Sequence, residues 1–284
     1  MAFKADMGRQ TFHEKAERPE KTNMKEVRLA AKELLDYGIL RTAQSPLVIH
    51  HPFTGCGYFI LLAEDSVRAT DITTSTEDFE RWKDWMCCRI DEAESAYEIG
   101  LRVHQPYRFT FLKGTEQFLS DEEFAKLLQF SWISSPAPSQ EEEVAPSEMI
   151  EMFQRANAEY LMSPEERSIL AQLPDEAVIY RGLTEKNAFH ISGMSWTLKE
   201  ESAARFASRG ETGKIYQAKI RKENILALFL KGEEFEVVVD PENLQEIALE
   251  RTLLLQPEAI AAERETAETI HEKKQEGVMQ YVFS

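Results

Sequence analysis

Residues 134–147 read Ser134-Ser135-Pro136-Ala137-Pro138-Ser139-Gln140-Glu141-Glu142-Glu143-Val144-Ala145-Pro146-Ser147. Three prolines, four serines and three consecutive glutamates offer almost nothing to bury, so this stretch reads as a linker. It divides 284 residues into two modest domains. The organisation expected is a polar arm over 1–23, an N-terminal domain over 24–133, the linker over 134–147, and a second domain over 148–284.

The net charge of −17 sharpens this division. Residues 1–135 carry 17 basic and 22 acidic side chains, a balance of −5, and the remainder carry 16 and 28, a balance of −12. Such a field repels phosphate backbones and anionic lipid, which argues against non-specific nucleic-acid or membrane binding. A pocket built from a few basic side chains escapes that argument. Cys56, Cys87 and Cys88 are odd in number and lack CxxC spacing, so neither a disulfide framework nor a zinc site is expected. The first 23 residues mix both charge signs without an apolar core, and no apolar run approaches a membrane span. A cytoplasmic protein is expected.

Apolar residues at Val27, Leu29, Ala30, Leu34 and Leu35 predict a helix over 24–37, stopped by Gly38. Strands are predicted over 46–49 and 58–63, with a tight connection between them. A helix over 76–97 places Trp82 and Trp85 in the core, and 107–112 alternates like a strand. Ser120, with Glu123 three residues on, opens a helix over 120–130. In the second domain, helices are expected over 148–160 and, from the capping box at Ser163 and Glu166, over 164–173. Short β-branched runs then follow at 177–180, 215–220, 225–230 and 235–239, with one amphipathic helix over 199–207. A charged helix over 257–277 ends the chain. Strands with few helices between them predict an α+β fold, mainly antiparallel in the second domain.

Three segments of that domain carry chemistry: Tyr180-Arg181-Gly182, Ser195-Trp196-Thr197, and Glu234-Phe235-Glu236 followed by Val237, Val238 and Val239. Each is common alone; their order and context join them. Arg181 ends an apolar strand, and Gly182 after it would let a ligand approach the backbone. Ser195 and Thr197 share one side of an extended segment. Glu234 and Glu236, two apart in a strand, would share one face about 6.5–7 Å apart.

This ordered set resembles the arginine–serine–glutamate class of ADP-ribosyltransferases, the fold of clostridial C3-like and C2-like toxins and of arginine-specific transferases. The likeness covers 177–240, about a quarter of the chain. It departs from the family at Trp196, inside the serine motif, and at Thr197, which keeps the hydroxyl of the last serine. Residues 1–147 carry no such likeness. The resemblance implies a two-sheet catalytic domain with NAD as substrate and no metal. It places Arg181 on the NAD-anchoring arginine, where a planar fork of donors suits a pyrophosphate or ribose oxygen. Ser195 would fix the nicotinamide ribose, with Gly182, Trp196 and Thr197 beside it. Glu236 would stabilise the oxocarbenium-like centre, and Glu234 would orient or deprotonate the nucleophile. Phe206 and Arg209 would pack on the nicotinamide and reach a phosphate. His190, between Arg181 and Ser195, would approach the same cleft.

The expected function is transfer of ADP-ribose from NAD to a macromolecular acceptor. A protein side chain is favoured, arginine first, over a nucleic-acid base. Family analogy adds the role of a toxin or effector restrained by a neutralising partner. Two alternatives share the same residues: an NAD glycohydrolase using water as acceptor, and a module that kept the fold and lost the chemistry. A hydride-transfer dehydrogenase is disfavoured, because Gly55-Cys56-Gly57 lacks the third glycine and following helix of a dinucleotide fingerprint.

Overall fold

The structure, a computed structural model, describes residues 18–42, 47–63, 66–135, 144–232 and 234–254. Most of the expected arm, the linker core at 136–143 and the helix expected over 257–277 lie outside the described residues. The chain divides into two units. One comprises Met1–Ser131 with Arg155–Asn157, and the other Trp132–Gln154 with Ala158–Ser284. The division therefore falls ahead of the linker, inside a helix.

In the first unit α1 (Met24–Leu35) is capped by Asn23, which accepts from Glu26 N, and it buries Val27, Ala31, Leu34 and Leu35. That spacing is one helical face. Strands β1 (Leu40–Arg41), β2 (Val48–His51) and β3 (Thr54–Cys56) form a small antiparallel sheet, and β4 (Tyr58–Ala63) pairs with β5 (Ser66–Asp71). The helix expected over 76–97 is two helices, α2 (Thr76–Glu92) and α3 (Ala96–Arg102). Ala93 turns extended between them, and Ser95 caps the second by accepting from Glu98 N. Trp82 is buried, but Trp85 is exposed. The buried row of α2 is Asp78, Trp82, Met86 and Ile90, spaced by four, which leaves Trp85 off its axis. His51 is buried edge-on against Trp82. Its Nδ1 accepts from Phe53 N at 3.1 Å, so it serves the core.

The strand expected over 107–112 is a helix, α4 (Arg108–Thr115). Phe109, Phe111 and Leu112 are all buried. A helix enclosed on several sides shows no polar stripe, so its alternating aromatics imitate a strand. Then α5 (Asp121–Ser134) starts on Ser120, whose Oγ accepts from Glu123 N at 3.3 Å. The Glu123 carboxylate reaches away to accept from Ala96 N at 3.0 Å.

In the second unit, α6 (Pro146–Arg155) and α7 (Ala158–Leu161) replace the single helix expected over 148–160. The capping box of α8 (Pro164–Gln172) forms as its residues predict, and Glu166 also accepts from Leu230 N at 2.8 Å. Six strands follow: β6 (Glu176–Thr184), β7 (Ser195–Thr197), β8 (Thr212–Arg221), β9 (Ile225–Phe229), β10 (Glu236–Val239) and β11 (Gln245–Leu254). Helix α9 (Glu200–Ala207) lies between β7 and β8 in sequence. The fold is thus mixed helix and antiparallel sheet. The two sheets expected are one hydrogen-bonded sheet in the order β11-β8-β6-β7-β10-β9. Among the described residues the register joins its halves at the pair Tyr180–Thr197, between β6 and β7. Among the described residues no helix is long and apolar enough to cross a membrane.

Small residues seat α9 on this sheet. A Cβ at Gly182 would lie 1.9 Å from Ala203 O, and one at Gly213 would lie 2.3 Å from Ala207 O. The room at Gly182 is taken up by α9. Both contacts are to helix backbone, which cannot rotate aside. Gly182→Ala should therefore lower unfolding free energy by about 2–3 kcal/mol, the upper range for overpacking. Denaturant titration checks this; an unchanged midpoint would mean that α9 does not sit where described.

Candidate active site

The antiparallel register aligns the site. Ser195 lies opposite Val238, and Thr197 opposite Glu236. Side chains two apart in a strand share a face, and diagonal neighbours across a pair can touch. Ser195 and Glu236 stand in that diagonal relation, and Ser195 Oγ donates to Glu236 Oε1 at 2.5 Å. Trp132 Nε1 donates to the same oxygen at 3.1 Å. Glu236 Oε2 has no hydrogen-bond partner among the described residues.

Arg181 comes from β6, on the other side of the junction. Its Nε donates to His190 O at 3.0 Å, and its Nη1 donates to Ser195 O. A guanidinium has five N–H donors, so three remain for a ligand. The group fits because residue 193 is glycine: a Cβ there would lie 2.3 Å from Arg181 Nη2. His190 contributes its backbone carbonyl, and its side chain does not line the cleft, contrary to expectation.

The cleft has a volume of about 380 Å³, within the range of small-molecule sites. Arg181, Gly182, Ser195, Trp196, Thr197, Phe206, Arg209, Glu234 and Glu236 all line it. Trp132, Ile133, Ser135, Tyr180, Leu183, Asn187 and Lys231 complete the wall. Arg181, Arg209 and Lys231 outnumber Glu234 and Glu236, so the cleft lining carries a cationic balance within a chain of −17. Arg209 lies 4.2 Å over the Phe206 ring and has no carboxylate partner among the described residues.

Three of the expected features carry contacts or geometry that the spacing did not show. Trp196 is buried, with its indole donating to Gly193 O at 2.8 Å, so it braces the loop that holds Arg181. The Thr197 hydroxyl donates to Glu234 O and accepts from Lys199 N, which ties the acidic segment to the start of α9. Glu234 and Glu236 do not share a strand face. Glu234 lies outside β10, and Phe235 between them has φ of +47°. That left-handed backbone disfavours a side chain by roughly 1–2 kcal/mol. Here Phe235 O accepts from Leu198 N at 3.1 Å, and the ring packs under Lys199 Nζ at 3.8 Å. The two carboxylates still border one cleft.

Burial raises the Glu236 carboxyl above its ordinary 4.5. The Ser195 and Trp132 donors oppose the rise, Glu234 adds to it, and Lys231 opposes it. Burial also lowers Arg181 to about 10, which leaves it cationic at neutral pH.

The residues missed in sequence, Trp132, Asn187 and Gly193, carry no local signal. Asn187 caps the strand end by accepting from Thr184 N at 2.6 Å, and Lys231 Nζ donates to Ile133 O at 2.7 Å. The chain matches no protein-family profile, no curated protein and no solved structure.

Because its carboxyl is raised, the folded chain holds the Glu236 proton more tightly than the unfolded chain does. This stabilisation is complete below 4.5 and is lost as pH climbs through the folded value. Glu236→Gln has no such proton. Its stability relative to wild type should therefore rise between pH 4.5 and neutrality in urea unfolding. A gap that narrows over that interval contradicts the assignment.

Proposed function

We propose that this site transfers ADP-ribose from NAD to a macromolecular acceptor. The observation that carries the reading is one anchored carboxylate. Glu236 has Oε1 fixed by two donors and Oε2 unpartnered, beside a guanidinium with donors to spare, in a cationic cleft. A dinucleotide brings a diphosphate, for which Arg181 and Arg209 are suitable partners, and an aromatic base for which Phe206 is a surface.

The chemistry follows from the charge that develops. As the bond from the ribose anomeric carbon to the nicotinamide nitrogen breaks, its electron pair leaves with neutral nicotinamide and an oxocarbenium-like centre remains. A carboxylate at that centre stabilises it with no reorganisation. Oε2 of Glu236 is the oxygen available for this. The acceptor's lone pair then forms the new bond, and its proton goes to a base, for which Glu234 at the cleft border is the candidate. Atoms balance as NAD plus acceptor giving ADP-ribosylated acceptor, nicotinamide and a proton. A protein acceptor is favoured, since the overall acidic field disfavours a nucleic acid. By resemblance, the biological setting is a cytoplasmic toxin or effector held in check by a neutralising partner.

The test is incubation of the chain with NAD labelled in its adenylate half, with and without cell extract. Nicotinamide release with label on a macromolecule is the expected result. Release without label assigns the site to glycohydrolysis, and no release at all removes the reading. Glu236→Gln should lower kcat by about 10²–10³-fold, the scale for losing one preorganised charge-stabilising group.

A further inference from the structure

The C-terminal end of α5 touches both ends of the acidic segment. Trp132 donates to Glu236, and one residue later the Ile133 carbonyl accepts from Lys231 Nζ. That carbonyl belongs to the last turn of a helix, where carbonyls lack helical partners and favour a cation. Between the two anchors the chain passes through left-handed backbone at Gly232 and Phe235. Trp132 is itself locked: it is 2% exposed and lies edge-on to Phe153 at 5.1 Å, and Phe153 continues to Phe229 of β9. Its indole N–H therefore has one orientation, and that orientation serves a carboxylate 104 residues away.

Resting on the proposed transferase reading, we infer that Trp132 is a positioning residue for Glu236: its N–H fixes Oε1, so that Oε2 is presented to the reacting centre. Ser195 alone would leave the carboxylate free to swing about a single hydroxyl. A second, rigid donor from another direction holds the carboxylate plane. It also favours the ionised form, against burial and the neighbouring Glu234, and alongside Lys231 and the Arg181 guanidinium.

The experiment uses the full chain with Trp132→Phe, which keeps a ring against Phe153 and deletes only the N–H. For nicotinamide release, kcat should fall about tenfold, the rate equivalent of one charge-assisted hydrogen bond of about 1.4 kcal/mol. KM for NAD should stay within about twofold, and the acidic limb of the kcat profile should move upward by about one pH unit. Phe153→Leu loosens the packing and spares the N–H; it should lower the unfolding midpoint and move that limb by less than Trp132→Phe does. Independently of turnover, the indole N–H resonance lost in Trp132→Phe should titrate in wild type and cease to titrate in Glu236→Gln. Wild-type kcat and pH profile in Trp132→Phe, an equal limb shift in Phe153→Leu, or an indole resonance indifferent to Glu236 would each overturn the inference. Absence of nicotinamide release by wild type would instead overturn the function on which it rests, and the resonance would still report the Trp132–Glu236 bond.

Discussion

A carboxylate withdrawn from water keeps its charge only where donors replace the hydration it has lost. Glu236 draws those donors from two earlier parts of the chain, Ser195 and Trp132. Both converge on one oxygen, and this asymmetry organises the site. The strand register brings Ser195 to the diagonal position, and the aromatic stack under Trp132 sets the angle of its ring. What remains is one oxygen without an internal obligation, at the border of a cationic cleft.

A second constraint is the narrow seam between β6 and β7. Among the described residues one pair joins the halves of the sheet. Arg181 adds to that junction by donating to the backbone carbonyls of His190 and Ser195. The guanidinium thus belongs to the fold before it belongs to any ligand. Glycine at 182 lets α9 down onto the sheet, and glycine at 193 lets the guanidinium lie flat. Neither close approach would survive a methyl group unchanged.

Local determinants were legible in the sequence; distant partners were not. Ser163 and Glu166 announce their helix because both halves of the cap lie within four residues. The three chemical segments were found by order and spacing, and seven residues drawn from them, with Phe206 and Arg209, border one cleft. Their detailed duties were not legible. The hydroxyl of Thr197 and the indole of Trp196 bind backbone, and a single left-handed residue at Phe235 breaks the strand on which an even spacing of carboxylates relied. Strand β11 escaped notice because residues 245–252 are exposed on both faces, so no alternation marks them. Trp132 escaped because its partner is far away in sequence and the linker signal drew the boundary just past it.

The double duty of Arg181 bears on how such a domain would decay under drift. Replacing Glu236 by glutamine removes a buried acid whose ionised form the fold tolerates at a cost and keeps an acceptor for Trp132 and Ser195, so that change is structurally cheap. Losing Arg181 strips two carbonyls of their donor beside the junction of β6 and β7. A descendant kept only as a scaffold would shed the acid early and retain the base, along with the glycine at 193 that makes space for it. A surviving arginine in such a lineage would accordingly be a record of architecture, and only the acid would be a record of catalysis.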